Sequence, residues 1–314
     1  ETRGSMSVAY ELHTAPAAPA YTYVCDVDSP EWLDLRKTGL GASDAHRVLT
    51  SPLSLYLEKR GEIESEQLDG EWIKWGHKLE GIIVAELGLQ IGAPTQRVGR
   101  MYRSTSEPWM LASLDGIVLS PDGRWIAPVE AKNVGAWNAH EWEEGAPRKF
   151  WEQNQQQMYV MGLDHGYIPC LIGGNRFAYE RVERDDKWLA AYIKQGRDLW
   201  RLIQEGDRPA VDGSPETIRA LKALHPNDNG ETVALPGSLI SIDTELADLK
   251  KQAKAIESEV KKREALIMEA IGNATFGALA NGTTYSWKTH HKKGHTVAAS
   301  DYRTLLRKAS KEAA

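Results

Sequence analysis

Residues 113–134 read SLDGIVLSPDGRWIAPVEAKNV, two runs rich in apolar residues on either side of Ser-Pro-Asp-Gly. Proline presets the backbone of a turn, and aspartate and glycine fill its other preferred positions. The segment therefore predicts a β-hairpin with strands over 109–119 and 124–134 and a turn at 120–123. With this turn, Asp115 and Glu130 fall within about two residues of being opposite, so their carboxylates can converge.

Lys132 joins this pair, because side chains alternate along a strand and Glu130 and Lys132 share one face. Two converging carboxylates repel each other unless a cation lies between them, and a site of oxygen ligands favours Mg²⁺ or Mn²⁺ over zinc. The other interpretation is a solvated hairpin face that carries a cross-strand cluster of charges. The residues of the hairpin alone do not decide between the metal site and the solvated hairpin face.

A third acidic residue favours the metal site. Glu80 lies in a predicted helix over 72–87, in register with Ile83, Val84 and Leu87, which places a carboxylate on the apolar stripe. An unpaired carboxylate costs several kcal/mol when it is buried, so a compensating group is needed. We therefore expect Glu80, Asp115 and Glu130 to meet around a divalent ion.

The segments around this hairpin alternate between helical and strand patterns, which indicates an α/β (α+β) fold with a mixed sheet flanked by helices. Helices are predicted over 30–38, after Ser43, and over 72–87, 150–161 and 186–204, and further strands over 96–102, 167–173 and 177–182. Residues 206–229, rich in proline, glycine and aspartate, are typical of a linker.

This pattern predicts four regions. Residues 1–21 are expected to be a tag remnant and flexible lead-in. Residues 22–208 form one domain large enough for an enzyme core, 209–235 a linker and 236–314 an appended module. In the module, apolar residues recur at steps of three and four from Leu246 to Ile267, interrupted at Arg263, which is typical of a coiled-coil helix. Asn281-Gly282 predicts a β-hairpin, and a last helix is expected after Ser300.

Composition excludes several classes of protein. The chain has 314 residues, 41% of them hydrophobic, and two cysteines, too few for a disulfide framework, a four-thiolate zinc site or an iron–sulfur cluster. We therefore expect a cytoplasmic protein, without membrane association because no apolar run is long enough to span a bilayer. The net charge of −6 does not exclude DNA as partner, because residues 236–314 carry 13 basic and 9 acidic residues.

Several motifs, taken together, resemble a known family. In chain order they are Leu35-Arg36, Gly41-Ala42-Ser43-Asp44, Gly76-His77-Lys78-Leu79-Glu80, Leu114-Asp115-Gly116, Glu130-Ala131-Lys132 and Gln153-Asn154-Gln155-Gln156-Gln157-Met158. Their order and spacing are similar to those of the lambda-exonuclease and YqaJ-like viral recombinase nucleases, members of the PD-(D/E)xK superfamily. The resemblance covers roughly residues 30–205 and departs at Leu114, where the superfamily usually has proline.

The resemblance implies a PD-(D/E)xK nuclease core and a set of catalytic roles. Asp115, Glu130 and the Ala131 carbonyl would bind metal, with two ions per site, and Glu80 would complete or support it. Lys132 would orient the attacking water or deprotonate it.

It also implies a pocket for a terminal 5′ phosphate, formed by Arg36, Ser43, Ser113 and Gln153. The residues themselves agree for Ser43, because a hydroxyl at an exposed helix start beside a glycine turn can bind an anion; the alternative is that Ser43 only caps its helix. Gln155, with Tyr159, resembles the glutamine-and-tyrosine motif of the wider RecB-like nucleases and is a candidate for DNA binding; the alternative is an ordinary polar helix face. In the loop after the hairpin, Trp137 and Trp142 are candidates for separating the DNA strands.

The function expected from this resemblance is an alkaline-type, Mg²⁺- or Mn²⁺-dependent exonuclease. It would act 5′ to 3′ on double-stranded DNA ends, release mononucleotides and leave a 3′ single-stranded tail. A homotrimer, a single-strand annealing protein as partner, and a phage or prophage origin in a bacterial cytoplasm follow from the same resemblance. Two alternatives stay open: a structure-specific endonuclease on the same fold, and a catalytically inactive DNA-binding recombination protein.

Overall fold

The computed structural model of the protein describes residues 20–64, 70–291, 294, 305 and 307. The chain divides into two compact units, residues 1–225 and 226–314. The helices of the first unit are α1 (Trp32–Arg36), α2 (Ala45–Thr50), α3 (Pro52–Lys59), α4 (Glu71–Ile91), α5 (Arg148–Met161), α6 (Asp186–Glu205) and α7 (Pro215–Leu224). Its strands are β1 (Tyr21–Asp26), β2 (Leu40–Gly41), β3 (Thr95–Ser104), β4 (Met110–Leu119), β5 (Trp125–Val129), β6 (Lys132–Val134), β7 (His165–Ile172) and β8 (Arg176–Glu183).

These eight strands form one mixed sheet. Its order is β1-β3-β4-β5-β7-β6, with β2 parallel to β4 and β8 antiparallel to β7. The strands β4 and β5 form the predicted antiparallel hairpin, and β5 and β6 both run parallel to β7. The predicted fold class, a mixed sheet flanked by helices, is confirmed.

The strand predicted over 124–134 is interrupted. Val129 is paired with Tyr167 and Lys132 with Cys170, so β5 and β6 keep the same register on β7 while Glu130 and Ala131 leave the regular ladder. The backbone N–H of Glu130 still donates to the Tyr167 carbonyl at 3.0 Å. The interruption falls at the residues for which a functional role is predicted.

Helix α4 packs on the sheet through Ile83, Val84 and Leu87, which join a buried cluster with Val118 and Val129. The close approach depends on a glycine: a Cβ at Gly116 would lie 2.7 Å from Val84 Cγ1. This contact brings Glu80 of α4 next to Asp115 of β4.

A second, larger core joins β4 to α5 and α6. Its buried residues include Met110, Ala112 and Leu114 of β4, Val160 of α5 and Tyr192 of α6. Helix α5 therefore lies along the sheet directly beside the strand that carries Asp115.

Several elements of this unit depart from the expected pattern. Strands β1 and β2 and helix α3 lie in segments for which no element is predicted, and α7 forms inside the predicted linker. Helix α7 begins after Ser214, whose hydroxyl accepts the Thr217 N–H at 3.1 Å, and it buries Thr217 and Ala220. The compact unit thus extends past 208, to His225.

The second unit contains the predicted long helix and hairpin. Helix α8 (Leu239–Ile271) is followed by the antiparallel pair β9 (Phe276–Ala278) and β10 (Thr284–Ser286). The helix expected after Ser300 and most of the predicted lead-in lie outside the described residues. Among the described residues, no helix is both long and apolar enough to cross a membrane.

Candidate active site

The hairpin brings Asp115 and Glu130 together as predicted. Gly116 is paired with Val129, so the next position along the register places Asp115 opposite Glu130. An Asp115 carboxylate oxygen accepts the backbone N–H of Ala131 at 2.9 Å. Both carboxylates line a cavity of about 110 Å³. Where the strand is interrupted, the backbone N–H of Ala131 therefore holds the Asp115 carboxylate, and the carboxylate of Glu130 faces the cavity.

Lys132 contacts Glu130 directly: its ammonium group donates to one carboxylate oxygen of the buried Glu130. The same ammonium lies 4.4 Å from the centroid of the Phe150 ring. The other oxygen of Glu130 accepts the side-chain amide of Gln157, which also donates to the Ser113 carbonyl at 3.0 Å. Glu130 is thus held on both sides by donors from different elements.

Charge crowding shifts the pKa values of this group. Burial, followed by repulsion from Glu130, raises the pKa of Asp115 well above its usual value. For Lys132, burial favours the neutral amine, but attraction to Glu130 and Asp115 outweighs it, and its pKa is raised. Lys132 therefore keeps its proton in this arrangement, which favours a charge-stabilising or orienting role over that of a general base.

Glu80 lies beside this pair but has protein partners of its own. Its carboxylate contacts His77 Nδ1 at 3.1 Å and Arg97 Nη2 at 3.3 Å. Burial raises the pKa of Glu80, and His77 and Arg97 oppose the increase. The premise that Glu80 is an unpaired acid is therefore corrected. Among the described residues no three His, Cys, Asp or Glu side chains are arranged as a metal-binding set.

Glu80 instead lines a second cavity of about 520 Å³, which it shares with His77, Arg97, Ser113 and Asp115. Asp115 and Ser113 also line the smaller cavity, so the two spaces adjoin beside the middle of β4. Glu80 thus contributes negative charge near Asp115.

The four residues predicted to hold a terminal phosphate lie together. Arg36, Ser43, Ser113 and Gln153 all line the 110 Å³ cavity that contains Asp115 and Glu130. Arg36 Nη2 donates to the Ser43 hydroxyl at 3.3 Å. A guanidinium, two hydroxyls and a carboxamide on one small cavity form a donor set suited to an anion.

The glycine turn of this cavity is held by a buried ion pair that the sequence did not reveal. The Asp44 carboxylate accepts the Gly41 N–H at 2.9 Å and contacts Lys59 Nζ at 2.8 Å. Lys59 also donates to the Arg36 carbonyl at 3.0 Å. Burial opposes ionisation of Asp44, but Lys59 and then Arg36 hold its pKa below the usual value. The N-cap residues of the two short helices here are Gly41 and Asp44, so Ser43 lies inside the first of them and does not occupy the predicted cap position.

The glutamines of α5 separate into different roles. Gln153 lines the cavity, whereas Gln155 is buried, with its amide donating to the Glu183 carbonyl at 2.7 Å and its oxygen accepting the Asp185 N–H at 2.8 Å. The predicted DNA contact of Gln155 is corrected, because both ends of its side chain bind backbone.

Sequence reasoning missed two other glutamines of this helix. Gln156 donates to the Leu40 and Leu111 carbonyls at 2.9 and 2.8 Å and thereby ties β2 and β4 to α5. Gln157 holds Glu130. The available signal was the run of consecutive polar residues on a helix that packs against the sheet, because buried polar groups need partners.

The two candidate tryptophans differ in environment. Trp137 is 94% exposed, in the 3₁₀ helix 136–142 that follows β6. Trp142 is partly buried and stacks on Phe150 with ring centroids 5.8 Å apart. Of these two candidates, Trp137 is the one whose ring is almost fully exposed to solvent.

Comparisons with known proteins agree with the motifs. A model of the YqaJ-like viral recombinase domain matches residues 31–164. The uncharacterized protein YqaJ of Bacillus subtilis (strain 168) is 27% identical over 266 residues, which are 82% of this chain and 82% of that protein.

Two of the solved structures that match this chain bear the description exonuclease. An alkaline exonuclease from Laribacter hongkongensis matches with 19% identity and a TM-score of 0.48, over 57% of this chain and 94% of that one. A phage related exonuclease from Haemophilus somnus 129PT matches with 13% identity and a TM-score of 0.39, over 55% and 98%. The residues of the candidate site, from Arg36 to Gln157, all lie in the range that the family model matches. The resemblance seen in the sequence is confirmed: residues 31–164 match the model of the YqaJ-like viral recombinase domain.

Proposed function

We propose that the chain is a divalent-metal-dependent exonuclease that enters duplex DNA at an end and degrades the 5′-terminated strand from 5′ to 3′. The observation that carries this proposal is the shared cavity: Arg36, Ser43 and Gln153 line the same small space as Asp115 and Glu130. A terminal phosphate bound by the first three would present a neighbouring phosphodiester bond to the two carboxylates. The direction of degradation rests on this pocket together with the family resemblance.

The residues fit a divalent metal. Asp115 and Glu130 converge, and their repulsion contributes to the raised pKa of Asp115, a conflict that a cation between them would relieve. Carboxylate oxygens and the Ala131 carbonyl would hold Mg²⁺ or Mn²⁺, with two ions as the resemblance implies. Bound there, the metal would polarise the phosphoryl oxygens and lower the pKa of a water ligand.

Side chains of the protein would stabilise charge, orient the attacking water and position the metal ligands. Lys132, kept protonated beside Glu130, would stabilise negative charge on the phosphate and orient the attacking water. Gln157 would hold Glu130 in place from the opposite side. Glu80 would support the site through its negative charge rather than as a direct ligand.

The wider role follows from the resemblance. We propose mononucleotides and a 3′ single-stranded tail as products, a single-strand annealing protein as partner, and a homotrimeric assembly. We also propose that the protein acts in a bacterial cytoplasm and is of phage or prophage origin. In this setting the exposed Trp137 is the candidate for separating the DNA strands.

The decisive experiment is a timed digestion of DNA with Mg²⁺, using linear duplex labelled at one 5′ end or one 3′ end and closed circular duplex. We expect early release of the 5′ label as mononucleotide, late release of the 3′ label and an intact circle. Cutting of the circle would establish the endonuclease alternative. If neither Mg²⁺ nor Mn²⁺ supports nucleotide release and the protein still binds the duplex, the inactive DNA-binding alternative is established.

The phosphate pocket makes a separate prediction. Linear duplex with 5′-phosphorylated ends should be degraded about tenfold to a hundredfold faster than duplex with 5′-hydroxyl ends, because one charge-assisted hydrogen bond contributes about 1.5–3 kcal/mol. Arg36→Ala should remove most of this preference, as measured from initial rates on the two substrates.

Arg124→Ala is the matched control, because Arg124 is exposed in the hairpin turn and its side chain pairs with Asp122. This variant should keep the preference of the parent enzyme. Equal rates on both ends in the parent enzyme would contradict the assignment of the pocket.

A further inference from the structure

Asn154 is a buried residue of α5 that lies behind the candidate site. Its side-chain amide donates to the carboxamide oxygen of Gln157, one turn further along the helix, at 3.0 Å. The other end of the side chain, Oδ1, is buried and accepts no hydrogen bond from the described residues. An apolar side chain of the same size would avoid the cost of this unpaired oxygen, which indicates a role for the donor end of Asn154.

The fold leaves the Asn154 side chain little freedom. Gly166 of β7 lies directly against it, and a Cβ at this glycine would be 2.2 Å from Asn154 Oδ1. If the amide of Asn154 were reversed, its oxygen would face the oxygen of Gln157, and neither atom could donate to the other. The hydrogen bond to Gln157 therefore defines which end of Asn154 faces the site.

The orientation of Asn154 in turn defines that of Gln157. Because the Gln157 oxygen accepts from Asn154, its Nε2 lies at the opposite side, where it donates to the Ser113 carbonyl at 3.0 Å and to the Glu130 carboxylate. A reversed Gln157 would present its oxygen to two acceptors. The carboxamide of Gln157 thus has one arrangement in which each of these bonds is made.

Through these bonds Gln157 connects the two carboxylates of the proposed metal site. Glu130 follows β5, whereas Ser113 belongs to β4, two residues before Asp115. One amide that donates to both Glu130 and the β4 backbone fixes Glu130 relative to the strand that carries Asp115. Partners of this kind, which hold a metal-binding carboxylate from behind, change metal affinity about 10- to 100-fold when they are removed.

We propose that Asn154 is a positioning residue for the nuclease reaction: by fixing the carboxamide of Gln157, it sets the position of the Glu130 carboxylate relative to Asp115. This inference rests on the proposed function, because it concerns the metal-binding carboxylates of that site. Asn154 is not among the residues that line the two cavities, so its effect on the site passes through Gln157.

The first measurement is the affinity of the full-length chain for Mn²⁺, by isothermal titration calorimetry without DNA. Asn154→Leu removes the donor with little change in volume, and Asn154→Ala removes it without filling the space beside Gly166. Either substitution should raise the dissociation constant of Mn²⁺ about tenfold. The kcat for cleavage of linear duplex should fall by a similar factor and the KM for DNA should be unchanged, because the groups that bind the duplex are not altered.

A double-mutant cycle tests whether Asn154 acts through Gln157. Gln157→Met keeps the length of the side chain, removes its amide and should raise the Mn²⁺ dissociation constant about 10- to 100-fold. In this background Asn154→Leu should cause no further change, because no carboxamide is left to orient.

Gln155→Met is the control for loss of a buried amide from α5. Gln155 is buried on the same helix, and its carboxamide binds the Glu183 carbonyl and the Asp185 N–H rather than the site. This variant should keep the Mn²⁺ affinity and the cleavage rate of the parent chain. The proposal is overturned by parent-like Mn²⁺ affinity in both Asn154 variants, by an equal effect of Asn154→Leu with and without Gln157, or by an equal loss in Gln155→Met.

The two readouts separate this inference from the proposed function. A parent chain that binds Mn²⁺ without releasing nucleotides would contradict the nuclease function, and the Mn²⁺ affinities of the variants would still decide the role of Asn154. A parent chain that binds no Mn²⁺ would overturn the metal site and this inference together.

Discussion

Lys132→Met should lower the rate of DNA cleavage about a thousandfold, within the range of 10² to 10⁴ usual for removal of a group that acts in proton transfer or charge stabilisation. The ammonium of Lys132 donates to Glu130, and its raised pKa keeps it charged where the reacting phosphate would lie. Methionine preserves the apolar contact with the Phe150 ring and removes the charge. Single-turnover cleavage of linear duplex at saturating enzyme isolates this effect.

Lys149→Met is the matched control for this substitution. Lys149 is exposed, and its Nζ lies 4.9 Å from the centroid of the same Phe150 ring. We expect cleavage within about threefold of the parent rate, because an exposed charge contributes little at this site. DNA binding without metal, measured by fluorescence anisotropy, should change little in either variant. A Lys132→Met enzyme that retains a tenth of the parent rate would remove the role assigned to this residue.

Lys59→Met should destabilise the protein by about 3–5 kcal/mol, because it leaves the Asp44 carboxylate buried without its counterion. Both side chains of this pair are 5% exposed, and Lys59 also binds the Arg36 carbonyl. The free energy of unfolding from urea titration, followed by tryptophan fluorescence, measures the loss. The double variant Asp44→Asn with Lys59→Met should recover part of it, since no charge then remains buried.

Lys37→Met tests whether burial of the ion pair causes the large loss of stability expected for Lys59→Met. Lys37 and Asp34 are also 2.8 Å apart, but their side chains are 62% and 81% exposed. This substitution should leave the free energy of unfolding nearly unchanged, because water screens an exposed ion pair. Equal losses in Lys37→Met and Lys59→Met would contradict the assigned effect of burial.

The buried pair also predicts a pH dependence. The folded-state pKa of Asp44 lies below the unfolded value of about 3.9, so its contribution to stability is present above that value and is lost as the pH falls through the folded pKa. In Lys59→Met, burial without the ammonium would raise the pKa of Asp44, and the protonated acid would be tolerated. The difference in unfolding free energy between parent and Lys59→Met should therefore be largest near neutral pH and shrink below about pH 4.

Much of the fold could be predicted because the signals were local. The turn at 120–123, the periodicity of α4 and α5 and the Asn281-Gly282 turn each depend on residues near one another in the chain. Strand β1 and helix α3 were missed for the opposite reason. β1 forms by pairing with the distant β3, and α3 has consecutive buried residues from Leu53 to Leu57 with no polar face to give it a helical period.

In the candidate site, too, the residues close together in the chain could be predicted, and those brought together by the fold could not. Asp115, Glu130 and Lys132 could be placed together because one hairpin carries all three. The four residues of the phosphate pocket were identified by resemblance, and their shared cavity is a feature of the folded chain. Gln155 was assigned to DNA although the fold turns it toward the Glu183 carbonyl, because a glutamine on a helix carries no mark of which partner it will bind.

Local chemistry along the chain was sufficient to establish the hairpin, its paired carboxylates and the neighbouring lysine, because turn geometry and strand alternation act over a few residues. The partners that hold these groups could not be read in this way. Lys59 reaches Asp44, Gln157 reaches Glu130 and Arg97 reaches Glu80 from separate elements. Such contacts depend on how helices pack on a sheet, and packing follows from burying the whole apolar surface of the chain at once, which no short stretch of residues encodes.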